Sequence, residues 1–174
     1  MAKCKVCKDK FEPKYFLQKA CFNPACLAEW AKLEREKKSD KAHAVKKRNM
    51  KDNDKPLREK SAQAAFNAFI RFRDDARSCI SCGRHHTGQY HAGHYRSRGA
   101  HPELRFEELN CHKQCAPCNN HLSGNISNYR PALIGKIGQD KVDWIEGPHE
   151  PKKYTCAELK EIELLYKRKL KELT

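Results

Sequence analysis

The strongest constraint on the fold is a set of four cysteines in the middle of the chain. Cys79 and Cys82 form one CxxC pair, and Cys115 and Cys118 form a second pair further along. Each pair can bind one side of a tetrahedral metal ion, so the two pairs together predict a four-thiolate zinc site. Four thiolates leave no coordination position open. This zinc is therefore predicted to be structural and to take no part in chemistry.

A second cysteine-rich segment opens the chain at residues 1–27. Its four cysteines predict a small N-terminal zinc knuckle with a second structural zinc; they are Cys4, Cys7, Cys21 and Cys26. The first residues carry no apolar signal segment, and no apolar run is long enough to span a membrane. We therefore expect a cytoplasmic protein, in which thiols stay reduced and paired cysteines bind metal.

The charge of the chain favours a polyanionic partner. Lys and Arg number 36 and Asp and Glu number 22, which gives a net charge of +14. Such an excess is typical of proteins that bind nucleic acid. Many of the basic residues lie in residues 28–60, which we predict to be an exposed basic helix that connects two modules. Two interpretations remain open for this connector: a solvated linker, or an arm along the DNA backbone. In the second, the phosphate contacts are Lys46, Lys47, Arg48 and Lys51.

Three further helical regions follow from local patterns. Residues 61–77 carry an apolar stripe at helical spacing, with Ser61 as the expected N-cap. Residues 129–146 predict short helices that are broken at Gly135 and Gly138. The last helix is expected to begin at a capping box formed by Thr155 and Glu158.

The central unit also carries polar residues suited to nuclease chemistry. Residues 89–95 predict a short strand with a glycine break, and Asn119 directly follows Cys118, where a helix could begin. A strand, loop, strand and helix clamped by zinc form a ββα-metal layout. A nuclease of this kind needs a neutral imidazole to deprotonate water and a divalent cation on the scissile phosphate. Either Mg²⁺ or Mn²⁺ suits imidazole and oxygen ligands.

These residues carry a family resemblance. The pattern Cys-x2-Cys, His, Asn-x4-Cys-x2-Cys resembles the HNH, or His-Me finger, endonucleases. The string AGHYRSRGAHPELRFEELNCHKQCAPCNNHLSGN more closely resembles the NinG/Rap family of lambdoid phage recombination nucleases. The likeness extends over roughly residues 60–172, and the N-terminal cysteine cluster with its basic helix is similar too. It implies a structure-selective endonuclease that acts on branched DNA, including Holliday junctions and D-loops.

The resemblance also implies roles for individual residues. His94 matches the general base, Asn110 the asparagine that braces the loop carrying the base, and Asn119 a metal ligand. Many relatives place an acid just before the base, where this chain has Gly93, and His91 is the nearest replacement ligand. Positions three apart in a regular strand face opposite sides, so a bulge at Gly93 is expected if both imidazoles are to converge.

Basic side chains beside the base are candidates for clamping phosphates. They are Arg96, Arg98 and Arg105. The alternative for each is an ordinary surface charge, and the sequence leaves that choice open.

Taken together, these patterns predict an α+β protein. Residues 1–27 form a small N-terminal zinc knuckle, residues 28–60 a basic helical connector, and residues 61–174 a zinc-stapled ββα-metal (HNH-like) nuclease core with flanking helices. The expected reaction is Mg²⁺- or Mn²⁺-dependent hydrolysis of phosphodiester bonds in branched or duplex DNA during phage recombination. The alternatives are a non-catalytic zinc-finger adaptor and a sequence-specific HNH nicking enzyme.

The expected partners follow from the same interpretation. They are DNA and other phage recombination proteins, with no membrane. Symmetric cutting of a junction takes two active sites, so a homodimer fits the activity, although no interface is legible in the sequence.

Overall fold

The computed structural model describes residues 1–173, and the chain divides into two units, Met1–Asp52 and Asn53–Thr174. The elements in chain order are β1 (Ala2–Lys3), β2 (Lys10–Phe11), α1 (Pro24–Asn53), α2 (Lys55–Arg73), β3 (Tyr90–His94), β4 (Cys111–Cys115), α3 (Ile126–Ile137), α4 (Gln139–Glu146) and α5 (Cys156–Leu173). Helix and strand therefore occur together, as predicted. Within the described range, no helix has both the length and the apolar character needed to cross a membrane.

The first unit contains a small hairpin and a long helix. Strands β1 and β2 pair antiparallel, and α1 follows the last cysteine-rich turn. Helix α1 buries Cys26, and the rest of its side chains are half-buried or exposed. An exposed basic helix thus runs from Pro24 to Asn53, whereas the predicted connector extended to residue 60; its role as a connector stays a prediction. A helix without an apolar stripe gains little from packing, so its charged surface remains in solvent.

Helix α2 begins earlier than predicted. Asp54 is its N-cap, and the Asp54 carboxylate accepts a hydrogen bond of 3.0 Å from the backbone N–H of Leu57. Pro56 occupies the first turn, where a missing N–H leaves no bond unmade. The N-cap expected at Ser61 is therefore wrong, because Ser61 lies inside a helix that already has a better start. The boundary predicted between residues 60 and 61 also falls within α2.

The stripe of α2 is core, as predicted, and it packs against α5 and the β3–β4 sheet. Phe66 and Ile70 are fully buried, and Cys111 of β4 and Tyr166 of α5 close the same cluster. The rings of Phe66 and Tyr166 meet edge to face, with centroids 4.8 Å apart. Cys111, which belongs to neither set of four cysteines, is a small buried side chain in this core.

Strands β3 and β4 pair in a regular antiparallel register. His91 lies opposite Gln114, Gly93 opposite His112, and His94 opposite Cys111. The bulge expected at Gly93 is therefore absent. Glycine is needed here for a different reason: a Cβ at this position would lie 2.1 Å from Oε1 of Gln114, so a larger residue does not fit unless that side chain moves.

A second core lies under α3 and α4. Tyr129 and Leu133 of α3 pack with Val142 and Ile145 of α4. Gly138, with φ of +90°, separates the two helices as predicted. Gly135 lies inside α3, so the break expected there is wrong. A single glycine costs a helix only about 0.5–1 kcal/mol, which the buried residues around it offset.

The start of α5 confirms the predicted capping box. The hydroxyl of Thr155 accepts from the N–H of Glu158 at 3.2 Å, and the carboxylate of Glu158 accepts from the N–H of Thr155 at 2.8 Å. These reciprocal bonds satisfy backbone donors that a helix start otherwise leaves open.

Candidate active site and metal centres

Each set of four cysteines converges to one point. The sulfur atoms of each set all lie within 4.8 Å of one another; the sets are Cys4, Cys7, Cys21 and Cys26, and Cys79, Cys82, Cys115 and Cys118. The Sγ atoms of Cys7 and Cys21 are 3.9 Å apart, and those of Cys82 and Cys115 are 4.0 Å apart. A tetrahedral zinc with Zn–S bonds of ~2.3 Å has sulfurs ~3.8 Å apart. Both clusters could therefore hold zinc.

One thiol in each cluster is favoured as a thiolate. Burial opposes ionisation of Cys82, but hydrogen bonds from His86, from the backbone of Arg84 and from neighbouring thiols together outweigh it and lower the pKa of the Cys82 thiol to about 6. The backbone N–H of Cys21, 3.3 Å from the sulfur, lowers the pKa of Cys4 to about 6. Since the thiolate is the form that binds metal, each cluster has one ligand prepared for zinc.

A groove of about 340 Å³ brings most of the predicted site residues together. It is bordered by α2, by β3 and by the segment that follows Cys118, and it is lined by Asn67, Arg71, His91, Ala92, His94, Ser97, Arg98, Asn119, Ser123 and Gly124. Among the described residues β3 pairs with β4 alone, so β3 is an edge strand. Side chains from both faces of an edge strand can border one groove. His91 and His94 therefore share this groove without a bulge.

The ring of His94 is held as a neutral imidazole. Its Nε2 lies 2.9 Å from the carbonyl oxygen of Arg105, and its Nδ1 lies 3.6 Å from Sγ of Cys111. Burial lowers the pKa of His94 to about 4, and the positive charge of Arg98 acts in the same direction. A carbonyl can only accept, so Nε2 carries the proton and Nδ1 keeps its lone pair. The ring is thus neutral near neutral pH, and the lone pair of Nδ1 faces the thiol of Cys111.

Asn110 closes the loop that connects β3 to β4. Its side chain is fully buried. Its Oδ1 accepts from the N–H of Arg96 at 2.7 Å, and its Nδ2 donates to the carbonyls of Arg96 and Leu104 at 3.0 and 3.1 Å. The loop that begins just after His94 is tied in this way to the residue that precedes β4. The bracing role of Asn110 stays a prediction, with these contacts in its favour.

Asn119 lies in a π-helical turn, Pro117–His121, directly after the zinc-ligand position Cys118. A π-helical turn is uncommon and is frequently found at functional sites. Its Nδ2 donates to Oδ1 of Asn120 at 2.8 Å, so the amide oxygen is the atom with a lone pair to offer. The expected α-helix start at this position is replaced by the π-turn, and α3 begins only at Ile126.

The three arginines near the base differ in their surroundings. Arg98 is exposed and lines the groove. Arg96 donates to the carbonyl of Glu146 at 3.3 Å. Arg105 donates to Glu59 at 3.0 Å and to Gln63 at 2.9 Å, both on α2. The phosphate contact predicted for Arg105 is not favoured, because its guanidinium already binds protein groups.

Sequence reasoning missed two residues of the groove. Asn67 and Arg71 lie one turn apart on α2, on the side away from its apolar stripe, and both line the groove. The sequence pattern that could have identified them is their i, i+4 spacing on a helix whose other face is buried. The positions predicted for the connector behave differently: Lys46, Lys47, Arg48 and Lys51 are all exposed on α1, in the first unit.

Comparison with known proteins identifies relatives along the whole chain. A family model described as "Bacteriophage Lambda NinG protein" matches residues 1–174. The chain is 42% identical to Protein ninG of Escherichia phage 933W, over 98% of this chain and 92% of that protein. It is 43% identical to Protein ninG of Escherichia phage lambda, over 96% and 89% of the two chains, and 43% identical to that of Salmonella phage P22, over 96% and 90%. No solved structure matches.

Proposed function

This chain belongs to the NinG family, and we propose that it is a divalent-metal-dependent DNA endonuclease with an HNH-like core. The observation that carries the proposal is the state of His94. The ring borders a groove, its Nε2 is bound to the carbonyl of Arg105, and burial lowers its pKa to about 4. A neutral imidazole whose Nε2 is held by a backbone carbonyl is in the form that a general base requires, and its perturbed pKa in a groove marks it as a candidate functional residue.

The residues of the groove divide the work of hydrolysis. In this proposal His94 takes the proton of the attacking water, and Asn110 holds the loop that supplies the acceptor for Nε2. Arg71 and Arg98 line the same groove and can hold phosphate oxygens of the substrate. A Mg²⁺ or Mn²⁺ ion held by His91 and Asn119 would supply charge neutralisation at the scissile phosphate and at the leaving 3′-oxygen.

The donors present fit a weakly held cation. His91 and Asn119 line the groove, and no carboxylate is among the described residues that line it. Mg²⁺ sites commonly use few protein ligands and complete their shell with water and substrate phosphates. A zinc ion in the cluster of Cys79, Cys82, Cys115 and Cys118 would hold the frame around this groove without taking part in the reaction.

The lack of a carboxylate in the groove also supports a second candidate. A non-catalytic zinc-finger adaptor for recombination would bind DNA through the same basic residues and need no cation. In that case His94 is buried only because it packs on Phe66, whose ring centroid lies 5.9 Å away.

One assay separates these possibilities. The purified protein is incubated with Mg²⁺ or Mn²⁺ and a panel of end-labelled linear, flap, fork and four-way DNA. The proposal expects metal-dependent cutting with a preference for the branched members. Equal cutting of the linear duplex at one sequence would favour a nicking enzyme instead. Binding without cutting under any metal would favour the adaptor. Sedimentation of the protein with a four-way junction would report whether two copies bind.

Asn119 is expected to matter through its amide oxygen. We expect Asn119→Ala to lose cleavage, and Asn119→Asp to keep or raise it, because aspartate retains an oxygen ligand and adds charge. We expect Mn²⁺ to support more activity than Mg²⁺, since Mn²⁺ accepts nitrogen ligands more readily. Cleavage rates across a Mn²⁺ titration measure both effects.

The neighbouring amide provides the control for this series. Asn120→Ala removes the exposed side chain whose Oδ1 accepts from Nδ2 of Asn119, and it should change the Mn²⁺ titration less than Asn119→Ala does, because the oxygen of Asn119 is kept. If Asn119→Ala cuts normally at every Mn²⁺ concentration, Asn119 has a local structural role and the cation binds elsewhere.

The lowered pKa of His94 makes a prediction about pH. A base that titrates near pH 4 stays neutral until the pH falls through about 4, so kcat/KM should be flat between pH 7.5 and 5.5. An ordinary imidazole, with a pKa of ~6.5, would lose about tenfold in rate by pH 5.5. Circular dichroism over the same range controls for unfolding. An acid limb centred near the ordinary value would mean that the ring is solvated, against the burial described above.

The exposed lysines and arginine of α1 are expected to touch phosphates without reading bases. Neutralising Lys46, Lys47, Arg48 and Lys51 together should weaken DNA binding equally for every sequence. The slope of log K against log salt should flatten by about 0.9 for each lost contact. Fluorescence anisotropy at several salt concentrations measures this slope.

A second set of four charges on the same helix separates local contacts from net charge. The control neutralises the exposed residues Lys32, Arg35, Lys38 and Lys41. A smaller change in slope for this control supports an arm centred on residues 46–51. An unchanged slope for the first set would mean that α1 is a solvated spacer.

A further inference from the structure

We propose that Gln114 is a positioning residue for His91: its amide oxygen accepts the Nε2 proton of His91, and Nδ1 of that ring is thereby presented to the groove as a cation ligand. The inference rests on the proposed function, since it concerns the cation of that site. It assigns a role to Gln114, and it makes the choice of nitrogen on His91 explicit.

The pairing of β3 and β4 brings these two side chains together. His91 and Gln114 are direct partners in the antiparallel register, so their side chains leave the same face of the sheet. Directly opposed residues have Cβ atoms roughly 4.5–5.5 Å apart, which is within reach of two long polar side chains. Gln114 is fully buried, although glutamine is mostly found at protein surfaces.

Both side chains carry a buried polar atom without a partner. Within the described residues three such side-chain atoms occur, and two of them are Nε2 of His91 and Oε1 of Gln114. One can donate and the other can only accept, so each is the partner that the other lacks. Buried polar atoms in native proteins are nearly always hydrogen-bonded. A hydrogen bond between these two atoms would satisfy both of them.

The orientation of the Gln114 amide follows from its other contacts. Its Nε2 donates to the hydroxyl of Ser81 at 2.7 Å and to the carbonyl of Gly124 at 2.5 Å. A carbonyl only accepts, so the nitrogen of the amide must lie on that side and the oxygen on the side of β3. Oε1 consequently lies over Gly93, where a Cβ would approach it to 2.1 Å. The glycine that replaces an acid thus makes room for the amide oxygen.

The consequence for His91 is a fixed tautomer. The buried nitrogen of its ring is Nε2, whereas the residue as a whole lines the groove. The nitrogen left for the groove is therefore Nδ1. A ring that keeps its proton on Nε2 has its lone pair on Nδ1, which is the form a cation needs. Histidine ligands commonly donate their second ring N–H to an oxygen acceptor that holds the ring in place.

The same amide links the ligand to the zinc frame. Ser81 lies between the predicted zinc ligands Cys79 and Cys82, and Gly124 lies in the segment that also carries Asn119 into the groove. Gln114 therefore joins three parts of the site through one side chain. A general packing role would not need its oxygen to face His91.

The first test reads the tautomer directly and needs neither metal in the groove nor DNA. Nitrogen-15 NMR of histidine-labelled protein, with its zinc retained, distinguishes a protonated Nε2 from a protonated Nδ1. The wild type should show His91 protonated at Nε2. Gln114→Met, which preserves length and removes both polar atoms, should shift His91 toward a mixture of tautomers. Gly93→Ala, on β3, should also shift His91 toward a mixture of tautomers, because the added Cβ displaces Oε1 of Gln114. This second variant tests the inference if Gln114→Met does not fold.

The second test measures Mn²⁺ affinity in the absence of DNA, from the paramagnetic resonance signal of the free ion. Gln114→Met should weaken binding about 10–100-fold. In a His91→Ala background the same substitution should cause no further loss, because the acceptor then has no ring to position. Ser81→Ala is the matched control: it removes one bond from the amide nitrogen and leaves Oε1, so its effect should be smaller.

The inference is overturned if His91 of the wild type is protonated at Nδ1, or if its tautomer is unchanged in Gln114→Met. Losses of affinity that simply add in the double variant would also overturn it, since Gln114 would then act independently of His91. These outcomes are distinct from failure of the proposed function. A protein that cuts no DNA with any metal would refute the nuclease, while the tautomer result would still decide the role of Gln114.

Discussion

Replacing His94 with alanine is expected to reduce the rate of DNA cleavage by about 10²–10⁴-fold, the range for loss of a positioned general base. The structural reason is that this ring alone in the groove is held neutral with its Nε2 bound to a backbone carbonyl, at 2.9 Å from Arg105. DNA affinity should remain within about twofold, because the neutral ring contributes no charge to phosphate binding. Single-turnover cleavage and fluorescence anisotropy measure the two quantities separately.

A matched histidine outside the groove controls for the loss of an imidazole. His121 is exposed at the end of the π-helical turn, and His121→Ala should cut at the wild-type rate. If His94→Ala also cuts at nearly the wild-type rate, His94 is not the base. If both variants lose activity alongside their circular dichroism signal, the fold has failed and the rates carry no information on chemistry. His94→Gln, which keeps much of the volume against Phe66, then provides the decisive comparison.

The second large effect is expected for Cys79→Ser, which should remove zinc from the central cluster and unfold Asn53–Thr174. Cys79 is almost fully buried, and its sulfur accepts the backbone N–H of Cys115 at 3.3 Å as well as facing three other thiols. Structural zinc contributes binding free energies of roughly 10–16 kcal/mol in small zinc-binding peptides, which exceeds the stability of most domains. Elemental analysis should find one zinc per chain in place of two, with loss of helical circular dichroism.

A cysteine outside both clusters provides the control. Cys156 is half-buried in the first turn of α5, and Cys156→Ser should keep two zinc ions and the wild-type spectrum. Two zinc ions and a native spectrum for Cys79→Ser would contradict the assignment of this residue as a ligand. Fewer than two zinc ions in the wild type, prepared without chelator, would contradict the assignment of two structural sites.

Local patterns in the sequence were sufficient to predict most of the helices and both cysteine clusters. The spacing within each cysteine pair, the charge of α1, the stripe of α2 and the capping box at Thr155 all involve residues within a few positions of one another. Such patterns depend on the helix period or on a single turn, so they do not depend on the tertiary contacts of the rest of the chain. The ends of helices were harder to predict from the sequence. Asp54 and Ser61 are both suitable N-cap residues, and only the packed length of α2 decides between them.

The groove depended on contacts that no local pattern contains. His91 and His94 face opposite sides of β3, and they share a groove that is also lined by residues of α2 and of the segment after Cys118, because β3 is an edge strand. The sequence by itself determined which residues could act, through their types and spacing. The tertiary structure decided which of them lie in the same site. Arg105 binds Glu59 and Gln63 on α2, whereas Arg71 of α2 lines the groove. The physical reason is that strand register and helix packing join residues far apart in the chain, and their side chains compete there for the same partners.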